Sequence, residues 1–214
     1  MNTIITIGRQ FGSGGREIGE RLAKHFDIPY YDKELINRVA KDSGFCQEII
    51  ENNDERPTSS FLYNLVMDTY SFGYNSSSFV DMPISHKIFI AQFDTIKKIA
   101  DEGPCVIVGR CADYALTERD NVLNVFICAN DECRIKRILS RHDEVKSEKE
   151  ARDMMSKKDK QRQSYYNYYA SAKWGHASTY DMTVNSSILG IDGTVKLISQ
   201  FVEDYESGEF SKCN

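Results

Sequence analysis

The chain opens on the segment that most restricts its fold. Thr3-Ile4-Ile5-Thr6-Ile7 is an unbroken β-branched run, Gly8-Arg9-Gln10-Phe11-Gly12-Ser13-Gly14-Gly15 is a glycine-rich turn, and Arg16-Glu17-Ile18-Gly19 begins a helical pattern. β-Branched residues favour extended backbone, and a short continuous apolar run fits a strand covered on both faces. Glycine admits the left-handed angles that let successive N–H groups converge on one point. A helix starting there adds its own free N–H groups and a partial positive charge. Strand, turn and helix in this order form a cradle for a phosphate or another polyanion. The plainer alternative is a tight strand-to-helix connection, and the other segments of the chain decide between them.

The turn departs from the usual phosphate-binding loop, in which a glycine is followed by four free positions and then Gly-Lys-Ser/Thr. With Gly14 as the second glycine, Arg9 occupies the first position, Gly15 the lysine position, and Arg16 is the nearest cation. The hydroxyl that normally follows the lysine is absent, leaving Ser13 or Glu17 as substitutes for a magnesium ligand. Backbone amides alone can hold a phosphate. A charged donor adds about 1.5–3 kcal/mol, and more where charge builds up in a transition state. Catalysis by such a loop depends on Arg16, or an arginine from a lid, reaching the place of the lysine.

Ile18, Leu22 and Phe26 recur every four residues, so the first helix packs one face on a sheet and ends near Asp27. Ile28-Pro29-Tyr30-Tyr31 is extended, and Asp32 is placed to cap a helix carrying Leu35, Ile36 and Val39 that closes at Gly44. Thr58 opens a further helix with Phe61, Leu62, Leu65 and Val66, and the polar run Ser71 to Ser78 reads as a loop. Tyr63, Phe72, Tyr74 and Phe79 around it are candidates for a lid or a partner surface. Ser85 begins a long helix that Gly103-Pro104 ends. Cys105 to Val108 and Val122 to Ile127 are continuous apolar runs, as in a parallel sheet with helices on both faces. Asn130 caps a basic helix with Arg134, Lys136, Arg137 and Arg141, and Ser147-Glu148-Lys149-Glu150 is a capping box for the next. Tyr180 to Val184 forms a last strand before a helix from about Asp192 to Tyr205. Strands alternating with helices imply a doubly wound α/β core.

With 214 residues, 41% of them hydrophobic, the chain can bury a full core. A net charge of −5 argues against a nucleic-acid backbone or an anionic membrane as the main ligand. The first strand starts almost at Met1 with no charged leader or long apolar segment, so a cytoplasmic location is the expectation. Cys46, Cys105, Cys111, Cys128, Cys133 and Cys213 form no CxxC pair, the four histidines show no ligand spacing, and no structural metal site is expected.

Four segments then stand in a telling order: Gly8 to Gly19; Pro29-Tyr30-Tyr31-Asp32 with Arg38 six residues on; Val106-Ile107-Val108-Gly109-Arg110; and Tyr180 to Ser186 before the last helix. Together they resemble the cytidylate kinase group of P-loop nucleoside monophosphate kinases, and in particular its divergent cytidylate-kinase-like branch. The resemblance implies a P-loop NTPase α/β fold in a single domain over 1–214. It also implies a helical acceptor-side insertion at about 45–102 and lid-like helices at about 130–175. It further implies that Gly12, Ser13, Gly14, Gly15, Arg16 and Glu17 hold the phosphates of ATP, with Mg2+ bound mainly by those phosphates and water. Asp32, Arg38 and Arg110 match residues that meet the acceptor phosphate, Asp159 and Arg162 a pair that contacts a pyrimidine monophosphate. Arg137, with Arg134 and Arg141, matches lid cations for the transferring group.

The chemistry asks for the same distribution. Moving a phosphoryl group between anions needs positive charge on donor, acceptor and the group in flight, and arginine grips two phosphate oxygens at once. For each arginine the bland alternative is a solvated face. Tyr165, Tyr166, Tyr168 and Tyr169, with Trp174, read first as a packing stripe and second as a base-stacking surface. Two functions follow: ATP-dependent phosphoryl transfer to a small acceptor such as CMP, or a nucleotide-binding module that kept the cradle and lost efficient catalysis. A role on nucleic acid is weakened by the acidic balance.

Overall fold

In the computed structural model, which describes residues 1–55 and 82–208, the apolar opening run becomes β1 (Ile4–Arg9), whose Ile4, Ile5 and Ile7 are all but fully buried. The turn after it leads into α1 (Gly15–Phe26). Then come β2 (Tyr30–Tyr31), α2 (Lys33–Ser43) and α3 (Gln47–Asn53). The chain continues with α4 (Ile84–Glu102), β3 (Val106–Val108) and the short α5 (Ala112–Ala115). Next are β4 (Val122–Cys128), α6 (Asp131–Arg141) and α7 (Glu148–Tyr169). A 3-10 turn (Ala177–Thr179), β5 (Met182–Asn185) and α8 (Ser186–Ser207) complete it. The five strands are parallel, in the order β2-β3-β1-β4-β5.

Because side chains alternate along a strand, β1 feeds two cores. Ile5 and Ile7 join Ile18 and Leu22 of α1, Val106 and Val108 of β3 and Ile198 and Val202 of α8 on one face. Ile4 and Ile107 meet Leu35 and Val39 of α2 and Ile96 and Ile99 of α4 on the other. The sheet thus has helices on both faces, as its apolar strands require. A third cluster packs α7 against α4: Tyr165, Tyr166 and Tyr169 are buried with Phe89, and Tyr169 stacks on it at 3.7 Å between ring centroids. The tyrosine stripe is therefore core.

Some expectations need correction. α8 starts at Ser186 rather than near Asp192, because Asn185 accepts from the Ser187 amide at 3.0 Å and so caps an extra turn, which breaks at Gly190 (φ 65°). Asp32 precedes α2 without capping it; its carboxylate is drawn off by two arginines. Ser147 does cap α7, accepting from the Glu150 amide at 3.2 Å. α4 falls in the span expected to be an insertion, yet Ile96 and Ile99 make it one of the layers covering the sheet. The expected helix at Thr58 to Val66, the loop at Ser71 to Ser78, the aromatic residues around it and Cys213 lie outside the described residues. No helix among the described residues is long and apolar enough to cross a membrane.

Candidate active site

The turn after β1 is pinned through its carbonyls. Ser186 donates to the Ser13 carbonyl at 2.6 Å, Arg134 Nε to the Phe11 carbonyl at 2.7 Å, and Arg137 Nη1 to the Gly12 carbonyl at 2.9 Å. Gln10 ties the loop to the end of β4, its amide donating to Ile127 and its side-chain oxygen accepting from the Ala129 amide. Gly12 (φ 78°) and Gly14 (φ 87°) take the left-handed angles that the curl requires. With the carbonyls held away, the amides of Gly12, Gly14, Gly15 and Arg16 have no acceptor among the described residues. Three of these begin α1 or flank its start, where the helix leaves N–H groups free in any case. The arrangement fits a polyphosphate, for which converging amides at a helix N-terminus are a suitable donor set. Ser13, named above as a substitute magnesium ligand, is fully buried, and its Oγ has no hydrogen-bond partner among the described residues.

A cleft of about 760 Å3 opens over this loop, at the carboxyl ends of the strands, where ligands bind in open α/β sheets. Arg16, Arg137, Arg141, Arg110, Arg162, Asp32 and Glu17 line it together with Gly12, Gly14 and Gly15. Arg16 is about half exposed and pairs with Asp32 at 2.9 Å. Arg141 pairs with Glu17 at 2.5 Å, and Arg21 holds the same carboxylate. Burial works against the Glu17 charge, but these two guanidinia bring its pKa below the usual carboxylate value.

Three expected residues are elsewhere. Arg38 ion-pairs with Glu102 and Asp42 and does not line the cleft, because its place on α2 turns it toward α4. Arg134 is buried and spends its guanidinium on the Phe11 carbonyl and on Asp159. Asp159 in turn accepts from the Phe11 amide at 2.7 Å, so this pair shapes the loop from behind.

Arg110 follows Gly109, and both have positive φ, 53° and 77°, which folds the arginine back over the end of β3. Its Nη1 meets Asp32 at 2.8 Å and the Val108 carbonyl at 3.0 Å, while Nε and Nη2 fork onto Asp54 at 3.1 and 2.8 Å. Burial opposes its charge, yet Asp54, Glu55 and Asp32 raise its pKa further. Glu55 bridges Arg9 (2.8 Å) and Arg162 (3.2 Å). Its burial is outweighed by those guanidinia, which hold the carboxyl well below the usual range. Arg9, Asp54 and Glu55 thus belong to the site although no motif marked the two acids. For Arg9 a signal existed: an arginine where the loop pattern has glycine, in the same loop that has glycine where the pattern has lysine.

Sheet order, loop and cleft define a P-loop kinase fold, and solved structures of that class resemble it. A shikimate kinase from Bacteroides thetaiotaomicron superposes with a TM-score of 0.53 at 10% identity, covering 95% of this chain and 99% of that one. A gluconokinase from Sinorhizobium meliloti gives 0.50 at 10% identity, with 98% of each chain covered. A protein of uncharacterized function from Eubacterium ventriosum is more similar, with a TM-score of 0.70 and 32% identity over 94% of this chain and 98% of its own. Residues 4–188 match the model of the cytidylate kinase-like family, and the chain belongs to that family. No curated protein matches it. Family and fold together support phosphoryl transfer as the class of chemistry.

Proposed function

We propose that this protein transfers a phosphoryl group from ATP, with Mg2+, to a small acceptor, a nucleoside monophosphate such as CMP being the first candidate. The observation that carries the reading is the set of amides at Gly12, Gly14, Gly15 and Arg16, without acceptors among the described residues, facing a cleft rimmed by arginines from five separate segments. ATP supplies the phosphoryl group there. The loop amides and the start of α1 bind its phosphates, Arg137 and Arg141 approach from α6, and Arg110 and Arg162 face the acceptor side. The acceptor binds where Asp32 and Arg110 meet. A binding module without turnover is the second reading, favoured by one specific feature: Arg110 and Arg162 already have carboxylate partners.

A coupled ADP-release assay over nucleoside monophosphates, nucleosides and small alcohols, with and without magnesium, separates the two. Acceptor-dependent ADP release supports the enzyme; uniform silence together with measurable ATP affinity supports the module. Arg16, the exposed cation of the loop, is expected to act on the phosphates once it leaves Asp32. Arg16→Ala should lower kcat about tenfold or more, and an unchanged rate removes Arg16 from the mechanism.

A further inference from the structure

Building on the donor-nucleotide reading above, we propose that Arg9 supplies the phosphate-binding cation that the loop lacks at position 15, and that it recognises the terminal phosphate of a nucleoside triphosphate. The two positions compete for one volume. A Cβ on Gly15 would lie 2.6 Å from Arg9 Cβ and 3.1 Å from its Cγ, so the stem of Arg9 fills the space into which a side chain at 15 would start. At the other end a second glycine makes room: a Cβ on Gly109 would collide with Arg9 Nη1 and lie 2.9 Å from its Cζ. Gly109, in the turn after β3, and Gly15, at the start of α1, thus frame a guanidinium that stands between the phosphate loop and Arg110, on the wall of the cleft.

Among the described residues the charges around it do not balance. Arg9 is 9% exposed, and its only acceptor among the described residues is Glu55, at 2.8 Å. Glu55 is shared with Arg162, which is also largely buried, and Arg162 further donates to the Arg9 carbonyl and lies over the Phe11 ring. Asp32 and Asp54 are committed to Arg110 and Arg16. Among the described residues, two guanidinia against this one carboxylate leave a surplus positive charge in a poorly hydrated place, an arrangement that costs stability unless an anion completes it. Burial and the neighbouring charge of Arg9 bring the pKa of Arg162 down to about 10, which agrees with that surplus. A guanidinium has five donors, so Arg9 can keep Glu55 and still meet a phosphate.

The test is calorimetry with Mg-ADP and the Mg complex of the β,γ-imido analogue of ATP. The wild-type protein should bind the triphosphate about tenfold or more tightly than ADP. Arg9→Gln should remove that preference while leaving ADP affinity within about threefold, because Glu55 stays paired with Arg162. Combining Arg9→Gly with Gly15→Lys restores the first glycine and the lysine of the ordinary loop pattern and should bring the preference back. A measurement on the unaltered protein carries the same test: the Arg9 Nε–H resonance should shift with the triphosphate and hold still with ADP. Equal affinity of the wild-type protein for the two nucleotides, a preference that survives Arg9→Gln, or an unmoved resonance overturns the role of Arg9 alone. Failure of either nucleotide to bind the wild-type protein overturns the donor-nucleotide reading as well.

Discussion

Arg110→Ala is expected to cost about 3–5 kcal/mol of folding stability. The Arg110 side chain is only 4% exposed and lies between two carboxylates, Asp32 and Asp54, while also donating to the Val108 carbonyl. Among the described residues, removing it strands Asp54 without a cation and leaves Asp32 with the half-exposed Arg16 alone. For a chain of this size about 2–4 °C of melting temperature is lost per kcal/mol. A thermal melt should therefore fall by roughly 6–20 °C, and a change of under about 3 °C contradicts the account. Arg110→Lys, which keeps a charge but not the fork onto Asp54, should fall in between. The same geometry bears on the acceptor: a phosphate can use this arginine only by displacing one of the two carboxylates. Acceptor affinity measured on Arg110→Lys, which keeps the fold, separates the binding contribution from the structural one.

The second large effect is at the loop. Gly14 has a φ of 87°, where a β-branched residue is strained. A Cβ there would collide with Ile191 Cδ1 and sit 3.2 Å from the guanidinium carbon of Arg137. Gly14→Val must therefore straighten the curl or push α8 and Arg137 away, and either change disperses the amides. Nucleotide affinity should fall about a hundredfold or more, the loss of two phosphate contacts. The melting temperature should fall too, since Ile191 packs against the apolar cluster that α8 shares with α1, so affinity is compared below the variant's melting range. A variant that binds ATP like the wild type would show that the loop is merely a connection between strand and helix.

What could be read along the chain was local. Ile4 to Ile7, the glycines that follow and the apolar face of α1 form the strand, turn and helix that their patterns imply, because each depends on neighbours a few residues away. The cap by Ser147 held for the same reason, although Glu150 reaches back to the Lys146 amide rather than to that of Ser147. What escaped was partnership across the fold. Arg38 stands at the family spacing from Asp32, yet α4 brings Glu102 beside it, which spacing within α2 cannot reveal. Arg134 and Asp159 are expected to face ligand, and instead lock the Phe11 peptide from both sides, since the docking of α6 on α7 decides where they point. Asp54 and Glu55 carry no motif and become part of the site because the end of α3 meets the Gly109-Arg110 turn and Arg9. The early start of α8 follows from Asn185 and Ser186, whose roles depend on β5 ending next to the loop.

The central claim is that the loop amides receive a polyphosphate. The most direct measurement is an amide NMR titration of the protein with Mg-ATP, following Gly12, Gly14, Gly15 and Arg16. Large, saturable shifts at these four positions, absent in Gly14→Val, are the predicted result. Saturable ATP binding that leaves all four amides unmoved, or no binding at all, would contradict it.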